Sequence, residues 1–130
     1  MPMFKPISEN EATGKVKEVF DDIKSARKIT EVPNFWKYLA NDPGELERTW
    51  SSLNEIMKKG ALDPITKELI YVAVSITNSC EYCIKSHSLA AKKKGATDEM
   101  LKEMFAVVGL ANKNNKLVDS YQVEVDKIYK

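Results

Sequence analysis

The spacing of apolar residues in this chain is typical of amphipathic α-helices. Along most of the sequence apolar residues recur every three or four positions, the period of one helix face. No pair of segments alternates in the way two pairing strands would, so we predict an all-α fold. Helices are expected at about residues 9–27, 34–40, 43–57, 64–77, 80–94, from 97 to the polar residues 112–115, and at 117–128.

Sequence signals for helix ends support these boundaries. Ser8-x-x-Glu11 has the form of a capping box, and Asp63-Pro64 places a cap before a proline, as at many helix starts. Gly95 is expected to end the helix before it. The run 65–77 is apolar almost all round and rich in β-branched residues, but its start signal and length favour a helix at the centre of a bundle or across a subunit interface.

Composition limits the class of protein. The chain has 130 residues, of which 43% are hydrophobic and 30% are charged, so we expect one domain over residues 1–130, a bundle of six or seven helices. With 20 basic and 19 acidic residues, the net charge of +1 predicts no attraction to nucleic acid or an anionic membrane. The first residues hold prolines and no apolar run of signal-peptide length, so we predict a cytoplasmic location.

The distinctive chemistry lies in residues 79–87, which contain both cysteines and the only histidine. A Cys-x-x-Cys pair is compatible with a disulfide, a reactive dithiol or half of a metal site. Steps of three and four residues put Cys80, Cys83 and His87 on one helix face. Unpaired N–H groups in the first turn of a helix favour thiolate over thiol, so the pair is predicted to be reactive.

Glu68 lies within the apolar run that precedes this stretch. If it is buried there, we expect burial to raise its pKa and allow it to act as a general base or proton relay for Cys80 or His87. The alternative is that Glu68 sits on an exposed strip of its helix.

Together these residues resemble a known signature. Glu68, eleven intervening residues, Cys80-x-x-Cys83, three further residues and His87 are similar to the pattern of the AhpD-like alkylhydroperoxidases in the carboxymuconolactone decarboxylase superfamily. Two longer stretches resemble the same family, KELIYVAVSITNSCEYCIKSHSLAAKKKGA and VPNFWKYLANDP.

The resemblance implies an all-α fold that assembles into trimers or hexamers, with a peroxiredoxin-type thiol peroxidase or disulfide oxidoreductase activity in antioxidant defence. It implies that Glu68 and His87 relay protons and that Cys83 attacks while Cys80 resolves. Helix-terminus physics alone would equally favour Cys80 as the attacking thiol. Tyr82 stands where well-known members have a second histidine, which implies a shorter relay and a different oxidant preference.

The expected partners are a hydroperoxide and a dithiol or disulfide protein that exchanges electrons. No Gly-rich nucleotide fingerprint occurs, so no flavin or nicotinamide cofactor is expected, and no metal. The basic run 92–94 is expected to complement the end of its helix or to steer an acidic partner.

Three alternatives remain open at this point. Cys80, Cys83, His87 and Glu68 could supply four zinc ligands, although a structural zinc site usually has two separated ligand pairs. The cysteines could instead be core residues of a non-redox interaction domain. A decarboxylase of the same superfamily is the third, although it would leave the cysteine pair without a purpose.

Overall fold

The computed structural model describes residues 1–130 and contains helices and turns but no strand, which confirms the all-α prediction. The helices are α1 (Gly14–Arg27), α2 (Asn34–Leu39), α3 (Pro43–Met57), α4 (Pro64–Thr77), α5 (Glu81–Lys93) and α6 (Asp98–Ser120), followed by a 3₁₀ turn at Lys127–Tyr129. The chain forms two compact units, Met1–Ile56 and Met57–Lys130, which are described separately below. None of the helices is long and apolar enough to cross a membrane.

In the first unit, α1 begins later than the sequence predicts. The Ser8 hydroxyl does donate to Glu11 at 2.9 Å and accepts the Glu11 backbone N–H at 3.2 Å. This contact closes a turn rather than a helix, and α1 begins at Gly14 instead of residue 9. Gly14 has a φ of +53°, a left-handed conformation through which a right-handed helix does not continue.

The core of the first unit is built around two tryptophans. Trp36 and Trp50 are buried and meet edge to face with 5.3 Å between ring centroids. The indole N–H of Trp50 donates to Asp22 at 2.6 Å, and the Arg27 guanidinium lies over both rings. Their burial agrees with the prediction that they are structural. The surrounding buried residues are Ala12, Val16, Val19, Phe20, Ile23, Val32, Ala40 and Leu46.

In the second unit α4 packs against α5 and α6. Its start is the predicted one: Asp63 accepts the Thr66 N–H at 2.8 Å and the Thr66 hydroxyl at 2.9 Å, with Pro64 in the first turn. The buried stripe of α4 consists of Glu68, Val72 and Ser75, at i, i+4 and i+7. The central helix of this unit therefore buries a carboxyl group.

The prediction for the C-terminal region was wrong. Residues 112–115 do not interrupt the helix, because α6 continues through them to Ser120. These residues are mostly exposed, where asparagine and lysine are tolerated in a helix, and the Asn112 amide oxygen accepts the Thr77 hydroxyl at 3.2 Å. The predicted helix 117–128 is likewise absent, since Gln122, with a φ of +51°, follows the end of α6.

Candidate active site at the start of helix α5

The turn between α4 and α5 sets the position of the cysteines. Ser79 has a φ of +57° and reverses the chain, after which the Cys80 N–H donates to the Ser75 carbonyl at 2.9 Å. Cys80 is the N-cap of α5, and its sulfur accepts the backbone N–H of Cys83 at 3.3 Å. The predicted placement of the pair at a helix start is therefore correct. A first-turn N–H is directed at the Cys80 sulfur.

The two cysteines are joined to each other. Cys80 and Cys83 form a disulfide with 5.3 Å between their Cα atoms, and no free cysteine is left in the chain. Of the states that the sequence left open, the structure holds the oxidised one. Such a disulfide is opened by attack of an external thiolate on one of its two sulfurs.

Glu68 and His87 form the polar centre of the second unit. Glu68 is buried, with 3% of its surface exposed, so the exposed-strip alternative does not apply. Its Oε2 lies 2.7 Å from Nδ1 of His87, a half-buried side chain on α5. His87 follows Cys83 by four residues on the same helix, so both lie on one face of α5. Three of the four predicted site residues share α5 or its cap, and Glu68 joins them from α4.

The expected pKa of Glu68 must be corrected. Burial does act to raise the pKa, but the hydrogen bonds from His87 and Lys94 outweigh it and lower the pKa of Glu68 below its ordinary value. The carboxyl group is therefore ionised at neutral pH. It is suited to accept hydrogen bonds and hold a proton donor in place, rather than to act as a strong base of its own.

Two further residues contact this centre and were not predicted. The Lys94 ammonium lies 2.7 Å from Oε1 of Glu68, and the Tyr71 ring stacks on His87 with 3.6 Å between centroids and 19° between planes. Helical spacing contained the signal for both. Tyr71 is three residues after Glu68 on α4, and Lys94, the C-cap of α5, is seven residues or about two turns after His87.

The remaining features of the site bear on its alternatives. Tyr82 is in the first turn of α5 with 45% of its surface exposed. No group of three or more His, Cys, Asp or Glu side chains is arranged to hold a metal ion. The zinc alternative therefore has no assembled ligand set in the oxidised form.

Comparison with known proteins places this site in a family. The model of the carboxymuconolactone decarboxylase family matches residues 44–123, more than half of the chain and all of the site. The chain belongs to the carboxymuconolactone decarboxylase family. Within this family it is AhpD-like, as the residues of the motif predicted.

A solved structure extends the likeness to the whole fold. The crystal structure of the alkylhydroperoxidase AhpD core from Rhodospirillum rubrum superposes with a TM-score of 0.94 at 44% sequence identity, over 99% of this chain and 97% of that one. The present chain therefore has an AhpD-like helical fold, which confirms the predicted fold class.

Curated relatives match over shorter stretches. The alkyl hydroperoxide reductase AhpD of Solibacter usitatus is 32% identical over 57% of this chain, and an alkyl hydroperoxide reductase of Mycobacterium tuberculosis is 28% identical over 72%. An uncharacterised protein of the cox locus in Paracoccus denitrificans is 37% identical over 46%. The chain spans 40%, 27% and 61% of the lengths of these three proteins, respectively.

Proposed function

We propose that this chain is a thiol-dependent peroxidase and disulfide oxidoreductase that works in antioxidant defence through Cys80 and Cys83. The observation that carries the proposal is the Cys80–Cys83 disulfide at the start of α5, on the helix whose His87 is bonded to the buried carboxylate of Glu68. A dithiol needs a proton acceptor to become nucleophilic and a proton donor to release the alcohol. Two similar proteins, named above, are called alkyl hydroperoxide reductases.

The proposed reaction balances with one hydroperoxide and one dithiol. One cysteine thiolate attacks the terminal oxygen of the hydroperoxide, the O–O bond breaks, and the alcohol leaves with a proton while the sulfur becomes a sulfenic acid. The second thiol then attacks this sulfur, releases water and closes the Cys80–Cys83 disulfide. An external dithiol reduces the disulfide by exchange and is itself oxidised.

We propose that His87 carries the protons between thiol and alcohol and that Glu68 orients its ring. His87 shares a helix face with Cys83, and its Nδ1 is occupied by Glu68, which leaves Nε2 to exchange protons. Without a second histidine at Tyr82, the relay has one imidazole, and we expect its preference among hydroperoxides to differ from that of the two-histidine members.

Two considerations disagree about which cysteine attacks the hydroperoxide. The family resemblance implies Cys83 as the attacking thiol. The Cys83 N–H directed at the Cys80 sulfur would instead stabilise a thiolate on Cys80. Separate serine variants distinguish the two, because the variant that retains the attacking cysteine still forms a sulfenic acid.

We further propose that the functional form is a cytoplasmic homo-oligomer, a trimer or hexamer of single-domain chains. Exposed apolar side chains on α4 and α6 support it, since Val74, Val107 and Leu110 are each more than half exposed in the single chain. The electron donor would be a dithiol protein, and no bound flavin or nicotinamide is required. Light scattering of the purified protein tests the assembly, and Leu110→Lys should reduce the mass of the oligomer.

The activity test compares wild type with Cys80→Ser and Cys83→Ser in a hydroperoxide consumption assay with a dithiol donor. We expect full turnover by the wild type, none above background by the variant that lacks the attacking cysteine, and at most slow turnover by the other, whose sulfenic acid only the external donor can reduce. Trapping with a sulfenic acid reagent should label only the variant that keeps the attacking cysteine. Wild-type protein that consumes no hydroperoxide with any dithiol donor would refute the peroxidase proposal.

A further inference from the structure

Lys94 is a charged residue of the site that the proposed reaction does not use. Its Nζ lies 2.7 Å from Oε1 of Glu68, while Oε2 of the same carboxylate lies 2.7 Å from Nδ1 of His87. The two carboxylate oxygens are thus divided between an ammonium and an imidazole. The Glu68 side chain is 5% exposed and the Lys94 side chain 38%, so the carboxylate is enclosed and the lysine reaches it from the surface.

The end of α5 directs Lys94 toward Glu68. Lys94 is the C-cap, and its N–H donates to the carbonyls of Ala90 and Ala91. Gly95 follows with a φ of +113°, a conformation that side chains disfavour, and turns the chain so that the Ala96 N–H also donates to Ala91 at 2.9 Å. This closed helix end holds the Lys94 backbone in place. The adjacent Lys93 forms no ion pair, and Lys92 instead pairs with Asp98 at 2.9 Å.

The positive charge of Lys94 bears on the protonation state of His87. A buried carboxylate is strongly stabilised by one nearby positive charge. With Lys94 in place, that charge is an ammonium, and His87 need not supply it. An ionised carboxylate only accepts hydrogen bonds, so a neutral His87 must then carry its proton on Nδ1 and present a free lone pair on Nε2.

We propose that Lys94 is a positioning residue of the site: as the counter-ion of Glu68, it keeps His87 neutral, protonated on Nδ1 and able to accept a proton on Nε2. The hydrogen bonds from His87 and Lys94 both lower the pKa of Glu68 and so favour its carboxylate form. The titratable groups that act on Glu68 are His87 on α5 and Lys94 at its cap, and Tyr71 of α4 covers one face of the imidazole. The catalytic part of this inference rests on the proposed peroxidase function, whereas the protonation state of His87 does not.

The test measures His87 directly, because it is the only histidine in the chain. Ring ¹⁵N chemical shifts across a pH titration report which nitrogens carry protons. We expect wild type to show the Nδ1–H neutral form at neutral pH. In Lys94→Met, His87 should take over as the counter-ion, so that the doubly protonated imidazolium persists to higher pH than in wild type.

Matched variants separate charge from packing. Lys94→Gln keeps a hydrogen-bond donor without the charge and should behave like Lys94→Met, while Lys94→Arg should restore the wild-type spectrum. Lys93→Met removes the same charge one residue away and should leave the spectrum unchanged. Circular dichroism checks that each variant folds.

The same variants are assayed for peroxidase activity as a function of pH. In Lys94→Met the acid limb of kcat/KM should move to higher pH, with a loss of about tenfold near neutrality that is recovered at alkaline pH. If the His87 spectra and the pH profile of Lys94→Met and Lys94→Gln match those of wild type, the positioning role is wrong. A changed His87 spectrum in a protein without peroxidase activity would support the role of Lys94 and refute the proposed function.

Discussion

Replacement of Glu68 by glutamine tests the relay with the smallest change in shape. The side chain is buried and accepts hydrogen bonds at 2.7 Å from both His87 and Lys94. Glutamine keeps a carbonyl oxygen for one of these partners but loses the charge. Its amide nitrogen can donate to Nδ1 of His87, which would move the ring proton to Nε2 and remove the lone pair that accepts a proton.

The expected effects on activity and on stability differ in size. Loss of a general acid or base costs about 10²–10⁴ in rate, and we expect kcat/KM to fall about a hundredfold, equivalent to about 2.7 kcal/mol. The free energy of unfolding should change by only roughly 1 kcal/mol. Charge-assisted bonds are lost, but the carboxylate of Glu68 no longer has to be desolvated and the exposed Lys94 can return to solvent.

The assay is hydroperoxide consumption with a dithiol donor, combined with urea unfolding of the same samples. Glu99→Gln is the matched control, because Glu99 is exposed on α6 and its replacement removes the same charge. Activity of Glu68→Gln within threefold of wild type at every pH would refute the relay. A loss of activity that followed a loss of several kcal/mol in stability would make Glu68 a structural residue instead.

Three further predictions follow from named contacts. Tyr71→Leu removes the ring stacked on His87, a contact of about 0.5–1.5 kcal/mol, and should lower kcat/KM about two- to tenfold while Tyr71→Phe retains it. Gly95→Ala should lower the free energy of unfolding by about 1–3 kcal/mol in urea titrations, because its φ of +113° is strained for alanine. Because the pKa of Glu68 is lowered in the folded state, its ionised form stabilises the fold. This stabilisation is complete above the ordinary carboxyl pKa, about 4.3, and is lost as pH falls through the lowered value. The free energy of unfolding between pH 6 and 3 should therefore depend less on pH in Glu68→Gln than in wild type.

Local signals in the sequence account for the parts of the site that were predicted correctly. Asp63 and Pro64 begin α4, Cys80 caps α5 and Gly95 follows its end, so the motif residues fall at positions that backbone chemistry determines. Each of these signals acts over a few residues. They placed the two cysteines at a helix start before any tertiary contact was considered.

Tertiary contacts account for what the sequence did not show. The direction in which the pKa of Glu68 shifts depends on Lys94, which lies 26 residues away in the chain. The sequence alone predicts only that the basic run 92–94 complements its own helix end or steers an acidic partner. The predicted break at residues 112–115 assumed that a polar run ends a helix, but an exposed helix face tolerates asparagine and lysine at a cost of only a few tenths of a kcal/mol per residue.

The most direct test of the proposed chemistry is a stoichiometric titration of the reduced protein with a hydroperoxide, with no donor present. We expect each equivalent of hydroperoxide to consume both thiols, yield one equivalent of alcohol and lower the protein mass by two hydrogens, with the Cys80–Cys83 disulfide identified by peptide mapping. Thiols that stay reduced while free cysteine in the same solution is oxidised would contradict the account.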